Sequence, residues 1–277
     1  MDFKDKNILV SGGSSGIGFA LAKKLSRLGA SITILARRKE LLETAIKEIK
    51  DCATFPEQKF NYISADVSDF KDLKSAFEND HIDYDFLFTA AGNCYPGEFI
   101  NTDVETFEET INTDYLGTVY LTKLILPRMI EKKSGYIIHF ASLIVYLGYY
   151  GYTAYSSAKY AVWGFSRTLR PEIEPYGINI SVVIPQDTDT PQLAFERAHQ
   201  PEISKQTTRM VEKIFGSTAL ITPDQAADYI INGIKKKKFM IYFASPLLSV
   251  ITKFLSPLMD KFFYSFAEKL KREVIEE

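Results

Sequence analysis

Short runs of apolar, often β-branched residues alternate along this chain with longer segments whose apolar positions recur at helical spacing. The runs at 8–11, 31–36, 60–64, 86–89, 136–140, 178–184 and 239–243 are too short for stable helices and are rich in Ile, Val, Phe and Tyr, so they predict strands. Segments at 17–28, 39–50, 70–79, 104–130, 153–169 and 224–235 repeat their apolar residues three and four apart and predict helices. Gly29, just past the first helical segment, and Thr222-Pro223, just before the last, are stop and start signals where the pattern requires them. Alternation of this kind buries a parallel sheet between two helical layers, because each crossover has to lie on a face of the sheet. The expectation is a doubly wound α/β fold of about seven strands, one domain over 1–243, followed by an apolar helical extension over 244–277.

Composition narrows the function classes. With 33 Lys and Arg against 35 Asp and Glu, the chain has no global positive field for nucleic acid. Cys52 and Cys94 form no disulfide framework, and with His81, His139 and His199 scattered there is no metal-ligand spacing. A reducing, cytoplasmic setting is expected, since the residues from Met1 to Asn7 run into the first strand without an apolar leader. The extension carries Leu247, Leu248, Ile251, Phe254, Leu255, Phe262 and Phe263, but Pro246, Lys253, Pro257 and Asp260 interrupt it, so no span of ~20 apolar residues crosses a membrane. Two readings remain open for it. Residues 244–266 can lie in the interface of a membrane's cytoplasmic face, helped by the lysines at 235–238 and by Lys269, Lys271 and Arg272, or they can pack on the domain or on a second subunit.

Candidate chemistry collects at the strand ends. After the first strand comes Ser11-Gly12-Gly13-Ser14-Ser15-Gly16-Ile17-Gly18; glycines at 12, 16 and 18 let the backbone approach a pyrophosphate while a helix N-terminus offers it free amides. The second strand ends at Arg37-Arg38, where an acidic residue would favour a ribose hydroxyl. Arginine there, with the Ser14 hydroxyl nearby, points to the 2′-phosphate of NADP(H); the alternative is a solvated basic corner. Asp66 can accept from an adenine amine and Val67 can pack on the ring, although Asp after a strand also serves as a turn residue. Ala91 and Gly92 allow close approach of a ribose and nicotinamide. Ser142 sits at the end of the fifth strand, and 13 positions later Tyr155 and Lys159 stand four apart on one helical face. An ammonium beside a phenol favours the phenolate, which would bring its titration towards neutrality. A tyrosine packed on a lysine stem is the plainer alternative.

Taken in order, the glycine loop, Asp66, Ala91-Gly92, Ser142, Tyr155-x-x-x-Lys159 and the 185–190 segment resemble the short-chain dehydrogenase/reductase family, over residues 6 to about 243. The resemblance implies a Rossmann-type fold, an NAD(P) cofactor, Tyr155 as proton donor, Lys159 lowering the tyrosine's pKa and bonding the nicotinamide ribose, and Ser142 orienting a substrate carbonyl. It also assigns Ser15, Gly16, Ile17, Pro185, Thr188 and Thr190 to the cofactor, and implies a homodimer or tetramer through the 104–130 and 153–169 helices. The family's helix asparagine, which holds a water connecting to the lysine, aligns with Asp114, making a carboxylate the implied relay member.

A narrower similarity, to the 3-ketodihydrosphingosine reductase branch, rests on Asp187-Thr188-Asp189-Thr190-Pro191, Glu196, Gln200-Pro201-Glu202 and the extended tail. It implies NADPH-dependent reduction of a long-chain 3-keto lipid under a polar helical lid at 191–216. The alternatives are a reductase of another apolar carbonyl, of 3-oxoacyl, steroid or retinoid type, or a weakly catalytic NADP-binding sensor.

Overall fold

The computed structural model describes residues 2–146, 148–215 and 220–243, together with Ser265 and Glu268. The strands form because their runs are apolar on both faces, which suits only a sheet covered on both sides. β1 (Asn7–Ser11), β2 (Ser31–Ala36), β4 (Phe86–Thr89), β5 (Gly135–Phe140) and β6 (Ile178–Ile184) are buried almost throughout, while β3 (Phe60–Ser64) and β7 (Met240–Tyr242) close the two edges. All seven run parallel in the order β3-β2-β1-β4-β5-β6-β7.

On one face lie α1 (Gly16–Arg27), α2 (Lys39–Lys50) and α9 (Pro223–Lys235), which contribute Leu21, Leu25, Leu42, Ile49, Ile230 and Ile234 to a core shared with β1, β2 and β5. The other face is covered by α3 (Phe70–Phe77), α5 (Gly117–Lys132) and α6 (Thr153–Ile173), through Leu73, Leu121, Ile125, Met129, Leu169 and Ile173. Thr222 starts α9 with a capping box, its hydroxyl accepting from the Gln225 amide while the Gln225 side chain accepts from the Thr222 amide.

The order in which strands are added across the sheet reverses between β1 and β4. The crossovers from these two strands leave to opposite faces, and their carboxyl ends open a crevice, the place where doubly wound sheets bind ligands.

Several elements differ from their predicted form. The segment 104–130, expected as one helix, is α4 (Val104–Thr110), a π turn over Ile111–Leu116, and α5. The wider turn carries Thr113 and Asp114 into the interior, so the irregularity falls on a polar pair that a regular helix would present differently. β7 holds three residues rather than five, and α6 runs four residues past its expected end. The 244–277 extension lies outside the described residues except for Ser265 and Glu268, as does Gly216 at the end of the expected lid. Among the described residues no helix is long and apolar enough to cross a membrane.

Candidate active site

A cavity of about 480 Å³ occupies the crevice. At one end stand Ser14, Ser15, Gly16 and Ile17 with Arg37 and Arg38; at the other stand Ser142, Tyr155 and Lys159. Gly12 has φ +68°, and a side chain there would meet the backbone of Ala90 and Ala91 at 2.8 Å, so only glycine lets the loop rest on the end of β4. No side chain caps α1 and no acid occupies its first turn. A helix N-terminus left in this state presents amides and positive dipole to an anion. The residues present therefore fit a dinucleotide phosphate.

Arg37 is exposed, its guanidinium 3.8 Å from the Asp66 carboxylate. Asp66 Oδ1 accepts from the Ser68 amide and hydroxyl at 2.9 and 2.7 Å, as a turn residue does, and its neighbours Ala65 and Val67 line the cavity. Ala91, Gly92, Pro185, Thr188 and Thr190 also line it. Thr190 doubles as the cap of α7 (Pro191–His199), accepting from the Leu193 amide at 3.2 Å.

At the chemical end, β5 delivers Ser142 just past its carboxyl end, and the first turns of α6 present Tyr155 and Lys159 beside it. The Ser142 hydroxyl stands beside the Tyr155 phenol, where it favours the ionised form. Lys159 is buried; its Nζ donates to the Phe140 carbonyl at 3.2 Å, lies 2.9 Å from Asp114 Oδ2 and is 5.4 Å from the centre of the Tyr155 ring. Asp114 is buried as well and accepts from the Asn93 amide at 2.8 Å. Gly92 makes room for it, since a β-carbon at Gly92 would fall 3.1 Å from the carboxylate. The carboxylate thus meets the lysine directly rather than through a water.

This pairing changes the expected electrostatics. Burial pushes the Tyr155 phenol well above its ordinary value, the neighbouring acids Glu196 and Asp114 add to the effect, and the Ser142 hydroxyl opposes it. The direction of the phenol's shift is set by burial first and by its acidic neighbours next. Asp114 is itself raised by burial, against the pull of the Lys159 ammonium and the Asn93 amide. A phenol kept protonated in this way can give its proton to a developing alkoxide.

Several residues that line the cavity were not among the expected site residues. α7 ties down through Gln192, which donates to the Cys94 carbonyl at 2.9 Å, and α8 (Glu202–Phe215) through Ser204, which donates to the Tyr150 carbonyl at 2.8 Å. Tyr149, Tyr152 and Tyr155 form an edge-to-face series with centroids 5.4 and 6.5 Å apart, giving the cavity an aromatic wall. Glu196 and the buried Cys94 complete it. The signal for Gln192 and Glu196 was their spacing of four after the Thr190-Pro191 helix start, which puts them on one face.

The model of the short chain dehydrogenase family matches residues 6–201. The chain belongs to that family. Within it, this short-chain dehydrogenase is 33% identical to the 3-ketodihydrosphingosine reductase of Bos taurus over 258 residues, covering 91% of this chain and 76% of the relative. It is also 33% identical to that of Dictyostelium discoideum over 284 residues, covering 96% and 82%. Among solved structures, a short-chain dehydrogenase from Sphingobium yanoikuyae in complex with NADPH superposes with a TM-score of 0.74 at 21% identity, covering 92% of this chain and 95% of that one. That likeness concerns the fold.

Proposed function

We propose that this short-chain dehydrogenase is an NADPH-dependent reductase of long-chain 3-keto lipids that converts 3-ketodihydrosphingosine to dihydrosphingosine in sphingolipid synthesis. The observation that carries the reading is the convergence of Ser142, Tyr155 and Lys159 at one end of a cavity whose other end joins an uncapped helix N-terminus to two arginines. Similarity to 3-ketodihydrosphingosine reductases over more than nine-tenths of the chain supports the substrate.

Bound along the carboxyl edge of the sheet, NADPH supplies a hydride for the carbonyl carbon. The Ser142 and Tyr155 hydroxyls hold the carbonyl oxygen, and Tyr155 gives that oxygen its proton, so ketone, hydride and proton together make the alcohol. Burial keeps the phenol protonated at rest, which suits the reductive direction. Lys159, with its Nζ 5.4 Å from the ring centre, is the cation that meets the phenolate that remains, and Asp114 with the Phe140 carbonyl fixes its position. Arg37 and Arg38 take the 2′-phosphate, Ser14 to Gly18 the pyrophosphate, and Val67 the adenine. The helices α7 and α8 serve as the lid, shielding the reacting carbonyl from water.

The same proposal puts the protein on the cytoplasmic face of a membrane through residues 244–266, because an acyl-chain ketone must leave a bilayer to reach the cavity. Exposed Val104 and Tyr160 support assembly into a dimer or tetramer across α4, α5 and α6. Vesicle co-sedimentation and light scattering test these two points.

For the reaction, the purified chain with NADPH and 3-ketodihydrosphingosine should oxidise NADPH and release dihydrosphingosine, identified by mass spectrometry. Indifference to that ketone alongside turnover of a 3-oxoacyl, steroid or retinoid carbonyl would replace the substrate. The Asp114–Lys159 pair favours one other reading, an NADP-binding sensor with little catalysis. NADPH binding without turnover on any of these carbonyls would establish it.

A further inference from the structure

Three carboxylates line the cavity, and two are already engaged by cations. Asp114 faces Lys159 at 2.9 Å, and Asp187, half exposed at the rim, faces Arg197 at 3.3 Å. The third, Glu196, is half-buried on α7 and has no ion pair among the described residues. The polar groups beside it are neutral, the Cys94 thiol and the Gln192 amide. The Cys94 and Tyr152 side chains beside it are buried, and its charge is felt at Tyr152 and Tyr155. A carboxylate in such a place is held at a desolvation penalty unless something cationic arrives. Burial and the charge of Asp187 accordingly push its acid up to about 7.

The proposed substrate supplies such a cation. In 3-ketodihydrosphingosine the carbon next to the carbonyl bears an amine that is protonated near neutrality. When Ser142 and Tyr155 hold the carbonyl oxygen, that ammonium lies one carbon away, in the part of the cavity that Tyr155 shares with Glu196. We propose that Glu196 receives the substrate ammonium and so selects 2-amino-3-ketones over plain ketones of the same chain length. This deepens the reductase reading above and rests on it. Glu196 acts here as a specificity-determining contact, on the helix face that Gln192 ties to the Cys94 carbonyl. The apolar wall of Tyr149, Tyr152 and Ile144 then faces the alkyl portion.

The test compares kcat/KM for two ketones of equal length, 3-ketodihydrosphingosine and the same hydroxyketone without the amine, in wild type, Glu196→Gln and Glu196→Asp. A charge-assisted contact corresponds to roughly a 10- to 100-fold preference for the amine in the wild type. In Glu196→Gln the ratio should fall to near one, mainly through KM for the amino ketone, and Glu196→Asp should restore part of it. NADPH-induced thermal stabilisation in each variant reports that the fold and nucleotide end are intact. Wild-type turnover of the sphingoid ketone with the ratio unchanged in Glu196→Gln overturns the assignment of Glu196 alone. Wild-type turnover of only the amine-free ketone overturns the substrate reading and this proposal with it.

Discussion

At the scale of single residues, the proposed chemistry depends on a phenol kept protonated by its surroundings. Tyr155→Phe keeps the ring and its packing but removes the proton, so ketone reduction should fall by about 10²- to 10⁴-fold while NADPH affinity holds. Steady-state turnover and a fluorescence titration of NADPH measure the two. Asp114 acts on the same phenol through its charge, which helps to raise the Tyr155 pKa. Asp114→Asn removes that charge, so the phenol should ionise at lower pH. Because reduction uses the protonated form, the alkaline limb of the kcat/KM profile should move to lower pH, and an unmoved limb would count against electrostatic contact between the two residues. Asp114→Ala should be harsher, since it leaves the buried Lys159 ammonium facing only the Phe140 carbonyl. Breaking a buried pair in this way costs about 3–5 kcal/mol, readable by denaturant unfolding, with the Asn variant losing less. Ser142, Tyr155 and Lys159 were legible because their spacing and strand-end placement repeat a known constellation. The role proposed for Glu196 was not, because its spacing from Gln192 places it on a face of α7 without showing that Asp114 and Asp187 are taken by cations.

At the scale of elements, the sheet was readable because strands buried on both faces are written as continuous apolar runs, and β1, β2 and β4 came out at or within one residue of their expected limits. The break at Ile111–Leu116 was hidden for a physical reason. A π turn adds one residue to a single turn, and Ile, Asn, Thr, Asp, Tyr and Leu there carry neither the glycine nor the proline that would mark it. Its consequence is functional, for it carries Asp114 into the interior against Lys159. A second hidden feature lies in β5, where His139 is wholly buried, bonded to Thr122 and Ser166 at 3.1 and 2.8 Å and stacked on Phe165. Burial lowers its pKa from 6.5 to about 3. Below about pH 6.5 the unfolded chain takes up a proton that the folded chain refuses, so this residue's contribution to stability is lost as pH falls from there towards 3. By pH 5 the loss is about 2 kcal/mol. His139→Gln cannot titrate, so the stability gap between wild type and variant should shrink by about that amount between pH 7 and pH 5 in urea unfolding, while the other titrating groups cancel from the difference. A gap independent of pH would mean that His139 is charged inside the fold.

At the scale of the whole molecule, one cavity touches both halves of the doubly wound sheet, the helices α7 and α8 and the loop after β4, so occupancy of the nucleotide end should be felt as global stability. A ligand present at a hundred times its Kd adds about 2.7 kcal/mol to unfolding, which for a chain of this size corresponds to a rise in Tm of about 5–10 °C. The arrangement at the end of β2 decides which nucleotide does this. Arg37 is exposed and only loosely paired with Asp66 at 3.8 Å, leaving its guanidinium able to turn to a 2′-phosphate, with Arg38 beside it. Such a contact is charge-assisted and worth about 1.5–3 kcal/mol, so NADPH should bind roughly 10- to 100-fold more tightly than NADH and give the larger thermal shift at equal concentration. Arg37→Glu puts a second carboxylate next to Asp66 and repels the phosphate that the arginine would attract. The order of the two shifts should then close or reverse, with the NADH shift little changed because the pyrophosphate cradle at Gly12 to Gly18 is untouched. Differential scanning fluorimetry with both nucleotides on both proteins reads all four values, and equal shifts from NADPH and NADH in the wild type would remove Arg37 and Arg38 as the phosphate-reading pair.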